Sequence, residues 1–189
     1  MSGAGFFWDA DRLGRMFCHP IRTAIGEVAV RPILPVDADL VQAFVGGLSS
    51  ASRYFRFFQP VRCLPPAMLE RFTRVDGVSG MALVGVASVQ GSPAIVGEVR
   101  YALNSDSTSA DIAMVVSEPW QRRGIATGML SILECMAAAT GITSFTGETL
   151  VANEACVRFA RACGFQVRPD TADRSFVRIE KPVGVGDSI

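Results

Sequence analysis

The stretch that most constrains this chain runs from Val115 to Thr127, where an alternating segment turns through Glu118-Pro119-Trp120 and enters a helix. Between Arg123 and Ala139 the apolar residues Ile125, Met129, Leu133, Met136 and Ala137 recur at helical spacing, giving one buried stripe. Gly141 marks the end of that helix. A helix N-terminus leaves backbone N–H groups unpaired and carries partial positive charge. A loop with little bulk at Gly124 and Ala126 can therefore wrap a phosphate closely, with Arg122 and Arg123 adding charge nearby. A plain strand-to-helix turn with a solvated arginine pair would account for Gly124 alone.

Elements on either side predict an α/β (α+β) domain. Residues 1–26 show no clear period and read as an N-terminal extension packed on the domain, which occupies 27–181 and is followed by a tail at 182–189. Val28 to Ile33 alternates as a first strand, with Pro32 at its end. A helix from Asp37 buries Leu40, Val41, Phe44, Val45 and Leu48. Two more helices follow, over 50–58 and from Pro65-Pro66 to Val75. Met81–Gln90, Ile95–Leu103 and Ser109–Val116 form a three-strand meander around a turn at Gly91-Ser92-Pro93. After the long helix come a strand from Ile142 to Val151, a helix from Asn153 to Cys163 with a stop at Gly164, and last strands near 165–167 and 175–179.

Composition excludes several classes. With 189 residues there is room for one core, and 49% apolar against 19% charged residues is a globular balance. Net charge is zero and the longest basic run is Arg122-Arg123, so the footprint needed to grip a nucleic-acid backbone is missing. Met81–Val89 is about half of the ~20 apolar residues that span a bilayer, so no membrane partner is expected. The N-terminus lacks the order of a secretory signal, which predicts a cytoplasmic protein. Cys18, Cys63, Cys135, Cys156 and Cys163 include no C-x-x-C pair and have one histidine, His19, to join them, so neither a disulfide framework nor a metal site is expected.

Gln121-Arg122-Arg123-Gly124-Ile125-Ala126 resembles the coenzyme-binding motif of the GNAT N-acetyltransferase superfamily: Gln or Arg, two residues, Gly, any residue, then Gly or Ala. The likeness extends over about residues 28–180. Leu48 to Phe58, Val96 to Tyr101 and Ala110 to Val116 look most like the acetyltransferase domain of bacterial protein-lysine acetyltransferases. The resemblance implies a mixed, mostly antiparallel sheet of about seven strands flanked by helices, with the strands ending at Val116 and Val151 splayed apart around the coenzyme. It implies acetyl-CoA as cosubstrate and no metal. Backbone groups of Val115 and Val116 would pair with the pantetheine arm, Gln121, Arg122 and Arg123 to Thr127 (Gly124, Ile125, Ala126) would surround the pyrophosphate, and Asn153 and Phe159 would face the coenzyme from the later helix.

The same resemblance implies acetyl transfer to a primary amine, on a protein lysine or a small molecule, by direct attack in a ternary complex. An ordinary lysine has a pKa of about 10.4, so a carboxylate must assist; Asp111 is the first candidate, with Glu98 and Glu118 as alternatives. A backbone N–H at Val115 or Val116 would stabilise the developing oxyanion. Ala160, beside Phe159, stands where many such enzymes carry a tyrosine acid. Arg53, Tyr54 and Phe58, with Arg56, fall in the segment that lines the acceptor entrance, where arginine would favour a carboxylate-bearing acceptor. The missing tyrosine keeps open a non-catalytic acyl-CoA sensor or interaction module. An exposed strand edge near the C-terminus would let two copies pair as a homodimer.

Overall fold

The computed structural model describes residues 19–106 and 108–184. Most of the expected N-terminal extension and residues 185–189 of the tail lie outside them. Eight strands form one sheet: β1 (His19–Thr23), β2 (Gly26–Pro32), β3 (Gly80–Val89), β4 (Ser92–Leu103), β5 (Ser109–Val116), β6 (Ser144–Leu150), β7 (Gln166–Pro169) and β8 (Phe176–Pro182). Their spatial order is β1-β2-β3-β4-β5-β6-β8-β7. Every neighbouring pair is antiparallel except β5–β6. The helices are α1 (Ala38–Gly47), α2 (Ser50–Phe57), α3 (Pro66–Thr73), α4 (Ile125–Ala139) and α5 (Glu154–Ala162).

Each face of the sheet has its own core. On one face Met129, Leu130, Leu133 and Ala137 of α4 pack with Val28, Leu83, Val96, Val99 and Phe145. On the other, Val41, Phe44 and Val45 of α1 and Phe72 of α3 pack with Ala82, Val84 and Ile95. Strands covered on both faces need continuous apolar runs, which is why Met81–Val89 reads as it does. The β3–β4 turn sits at Gln90-Gly91 rather than Gly91-Ser92-Pro93. Those two residues have φ of 52° and 82°, the left-handed pair that a two-residue hairpin takes.

The sheet has one strand more than the seven expected, because β1 falls inside the stretch taken as an extension. Its exposed edge position leaves little alternation to detect, and Ile21 is its main apolar anchor. Gly128 on α4 makes room for that anchor: a Cβ there would lie 2.6 Å from Ile21 Cδ1, and the isoleucine would have to shift. A turn secures the hairpin, with the Thr23 hydroxyl donating to Gly26 O at 2.6 Å.

The feature that positions the site is the parallel β5–β6 pair. It is joined only at Ser109–Ser144, Ala110–Phe145 and Asp111–Thr146, and beyond Asp111 the strands part. β5 stays paired with β4 as far as Val116, and β6 with β8 as far as Leu150. Each is held on its outer side while the gap opens between them.

Truncation of the fully buried Leu133 tests whether α4 carries its core. Leu133→Ala should destabilise the domain by about 2–5 kcal/mol in equilibrium denaturant unfolding. A loss well under ~1 kcal/mol would show that this helix is not packed as described.

Candidate functional site

The gap opens into a cleft of about 1050 Å³ lined by β5 from Asp111 to Val116, by Thr146 to Thr149 of β6, by the loop before α4, by α5 and by one side of α2. In an antiparallel pair, alternate residues turn both backbone groups toward the same neighbour. Ser117 N–H donates to Val96 O of β4 at 2.9 Å, so Val115 and Ala113 also address β4. Met114 and Val116 therefore turn their backbone groups toward the cleft, where β6 has drawn away. Val116 O already accepts from Gln121 Nε2 at 2.9 Å. Of Val115 and Val116, expected to pair with the coenzyme arm, Val116 turns its N–H toward the cleft, Val115 turns toward β4, and Met114 faces the cleft instead.

The loop before α4 is anchored by the buried Trp120. Arg122 and Gly124 both have left-handed φ, 57° and 78°, and this double reversal turns the chain into the helix. The first intrahelical bond is from Gly128 N–H to Gly124 O, so the preceding N–H groups at the helix start have no helical acceptor. A Cβ at Gly124 would meet nothing within 4 Å, so the space beside it is open to a ligand. Arg122, Gly124, Ile125, Ala126 and Thr127 line the cleft with Gln121. Arg123 is not among the lining residues; its Nε donates to Pro119 O at 3.0 Å and braces the turn.

On α5, Asn153, Cys156, Phe159 and Ala160 line the same side. Both polar ends of Asn153 are engaged. Its oxygen caps the helix by accepting from Cys156 N–H at 3.2 Å, and Nδ2 donates to Thr149 Oγ1 at 3.3 Å. Burial raises the Cys156 pKa above the ordinary thiol value, with a hydrogen bond to Thr149 opposing it, a setting that does not favour the thiolate.

The three expected carboxylates take different positions. Asp111 sits at the fork where the strands part, exposed to the cleft, and accepts from Thr146 Oγ1 at 2.5 Å. Glu98 is only 1% exposed, does not line the cleft, and is shared by Arg100 and by Arg56 at 3.2 Å. Burial would raise its pKa, but the charges of Arg100 and Arg56 outweigh this and hold it below the ordinary carboxylate value. Glu118 is likewise pulled down against its burial, by hydrogen bonds from Ser49 and Ser52. It accepts from Ser49 N–H at 3.1 Å and from Ser52 Oγ at 2.7 Å, tying the loop to the start of α2. The geometry leaves Asp111 as the one of the three that addresses the cleft.

Of the expected acceptor residues, Phe58 lines the cleft and packs edge-on against Phe176, with ring centroids 5.4 Å apart. Arg53 and Tyr54 do not line it. Arg53 donates to Gly46 O and Leu48 O, pinning the end of α1, and Tyr54 is 46% exposed. The helical face that looks inward carries Ser52, Phe55 and Arg56 instead. Glu148 and Glu180 also line the cleft on the side of Asp111, with Thr146 directly opposite Glu180 and Glu148 opposite Arg178. Alternation within 144–150 puts Thr146 and Glu148 on one face, but only the β6–β8 register brings Glu180 beside them.

The Acetyltransferase (GNAT) family model matches residues 50–165, more than half of the chain. An acetyltransferase of Pseudomonas aeruginosa is 27% identical over 150 residues, 79% of this chain and 81% of that protein. The acetyltransferase Pat of Mycolicibacterium smegmatis is 28% identical over 138 residues; the match covers 72% of this chain and 40% of that protein's length. Among solved structures, the GNAT domain of S. lividans PAT is similar with a TM-score of 0.79 and 26% identity, covering 88% of this chain and 97% of that one.

The lowered pKa of Glu98 predicts a pH-dependent stability. A carboxylate whose folded pKa lies below its unfolded value of about 4.3 stabilises the fold above that pH, and the contribution is lost as pH falls through the folded value. Glu98→Gln should therefore cost about 3 kcal/mol near neutral pH, and the gap to the unaltered protein should narrow under strong acid. Urea unfolding across that range checks both, and a gap that stays constant with pH would refute the charge-based account.

Proposed function

Because the chain belongs to the GNAT acetyltransferase family, we propose that it transfers the acetyl group of acetyl-CoA to a primary amine by direct attack in a ternary complex. The acceptor is a protein lysine or a small-molecule amine. The observation that carries this is the fork itself: a carboxylate, Asp111, stands where β5 and β6 part, between an N–H-rich loop on one side and an acidic, aromatic-walled recess on the other.

The residues present suit acetyl-CoA. The open space beside Gly124 and the unpaired N–H groups at the start of α4 suit a pyrophosphate, with Arg122 adding charge. The backbone of Met114 suits pairing with an amide-bearing arm, as an added strand would. Phe159 and Cys156 present an apolar wall to that arm.

In the transfer, the amine nitrogen forms a bond to the acetyl carbon while the C–S bond breaks. As the C–N bond forms, the nitrogen becomes strongly acidic, so a carboxylate can receive the proton, directly or through one water. Asp111 is held for this by the Thr146 hydroxyl. The cleft-facing N–H of Val116 is the donor available to the carbonyl oxygen as charge develops on it. Ala160 is buried and carries no acid, so the thiolate leaves without a side-chain proton. A thiol of pKa about 8.5 permits this.

Two measurements test the proposal. Calorimetric titration with acetyl-CoA should show saturable binding, lost when Gly124→Leu fills the open space; no binding by the unaltered protein would overturn the reading as a whole. Asp111→Asn should lower kcat by about 100-fold or more while acetyl-CoA still binds. Turnover within a factor of two of the original would remove Asp111 from the base role, and turnover of no amine despite tight binding would favour a sensor.

A further inference from the structure

Arg56 is the one guanidinium that lines the cleft from α2, and the transfer chemistry makes no use of it. Its side chain is 11% exposed. It stacks between two rings, with Cζ 5.1 Å from the Phe57 centroid and 5.5 Å from that of Phe72. Nε and Nη2 reach Glu98 Oε2 at 3.4 and 3.2 Å, both long for a charge-assisted bond.

The anion beneath it is already committed. Arg100 makes the closest approach to Glu98, donates to Phe72 O at 3.0 Å, and has its Cζ 3.5 Å from the Phe72 centroid. Two guanidiniums on one buried carboxylate leave a surplus of one positive charge. Both guanidiniums keep an Nη1 with no acceptor among the described residues, but Arg56 lines the cleft and Arg100 does not, so the surplus is presented to a ligand at Arg56. The cleft acids Asp111, Glu148 and Glu180 make no ion pair with it. A positive charge left over beside a cleft is costly to desolvate, and the free Nη1 end of a guanidinium is matched well by a carboxylate.

Resting on the acetyl-transfer reading, we infer that the acceptor carries a carboxylate as well as its amine, and that Arg56 receives the carboxylate while the amine lies toward Asp111. The carboxylate belongs either to a free amino acid or to an acidic residue neighbouring a lysine in a peptide. Ser52, one turn before Arg56 on the same face, is spoken for by Glu118, which leaves Arg56 to make the discrimination.

The test is a matched panel of acceptors with the full-length protein: amino acids against their carboxamides, and lysine peptides with Glu against Gln beside the lysine. The unaltered protein should favour one acid series by about 10-fold or more in kcat/KM, and which series responds identifies the source. Arg56→Gln should bring that ratio toward one, and Arg56→Lys should keep part of it. Acid and neutral acceptors used equally by the unaltered protein would overturn the inference and leave acetyl transfer standing. Acetylation of none of them would overturn both. Because the ratio in the unaltered protein needs no variant, instability of Arg56→Gln does not shelter the inference; a ratio unmoved in a folded Arg56→Lys and Arg56→Gln would sink it.

Discussion

The site depends on two neighbouring strands that stop pairing after Asp111–Thr146. Parting exposes backbone N–H and C=O groups that would otherwise be buried, and each must find water, a side chain or a ligand. The separation is stable because neither strand needs the other: β5 has β4 along its whole length and β6 has β8. Gln121 satisfies one of the exposed carbonyls, that of Val116. The remaining groups face a cleft whose floor is set by α4 and α5. At the fork the approach is close: a Cβ on Gly147 would lie 3.1 Å from Ile112 O, so a side chain there would push the strands apart by a few tenths of an ångström.

Charge is divided by the same fork. The side beneath α4 and α5 presents unpaired N–H groups and Arg122, a setting for anions. The side beneath α2 presents Asp111, Glu148 and Glu180, with Arg178 among them and Arg56 opposite. Two acids outside the cleft are absorbed by structure. Asp37 is buried in a two-point pair with Arg31, both contacts at 2.7 Å, and Glu118 ties the loop to α2. Asp111, Glu148 and Glu180 keep oxygens turned to the cleft.

The elements themselves were largely legible. The 3.6-residue period of α4, the alternation of β3 to β5, and Asn153 opening a helix that ends at Gly164 are local signals, each written within a few turns of chain. β1 was not legible, because a solvated edge strand with one anchoring isoleucine leaves no periodic trace. The inward face of α2 was misassigned for a related reason. Arg53, Tyr54 and Arg56 lie within one turn, and which of them faces the cleft depends on how the helix is rotated, a matter settled by Phe57 packing toward α3 and by Arg53 bonding to the end of α1.

Sequence alone determined the strand-loop-helix at 115–139, the glycine at its turn, and the membership of Asp111 in a strand that leads to it, because these follow from periodicity and backbone freedom over short distances. Tertiary structure alone decided which of the three carboxylates faces the cleft. Glu98, Glu118 and Asp111 are alike as acids in a sequence. They differ only in that Arg56 and Arg100, 42 residues and 2 residues from Glu98, close over one, that Ser49 and Ser52 bind another, and that the parting of β5 from β6 leaves the third open. All of these partners but Arg100 are set by long-range packing, which no local pattern encodes.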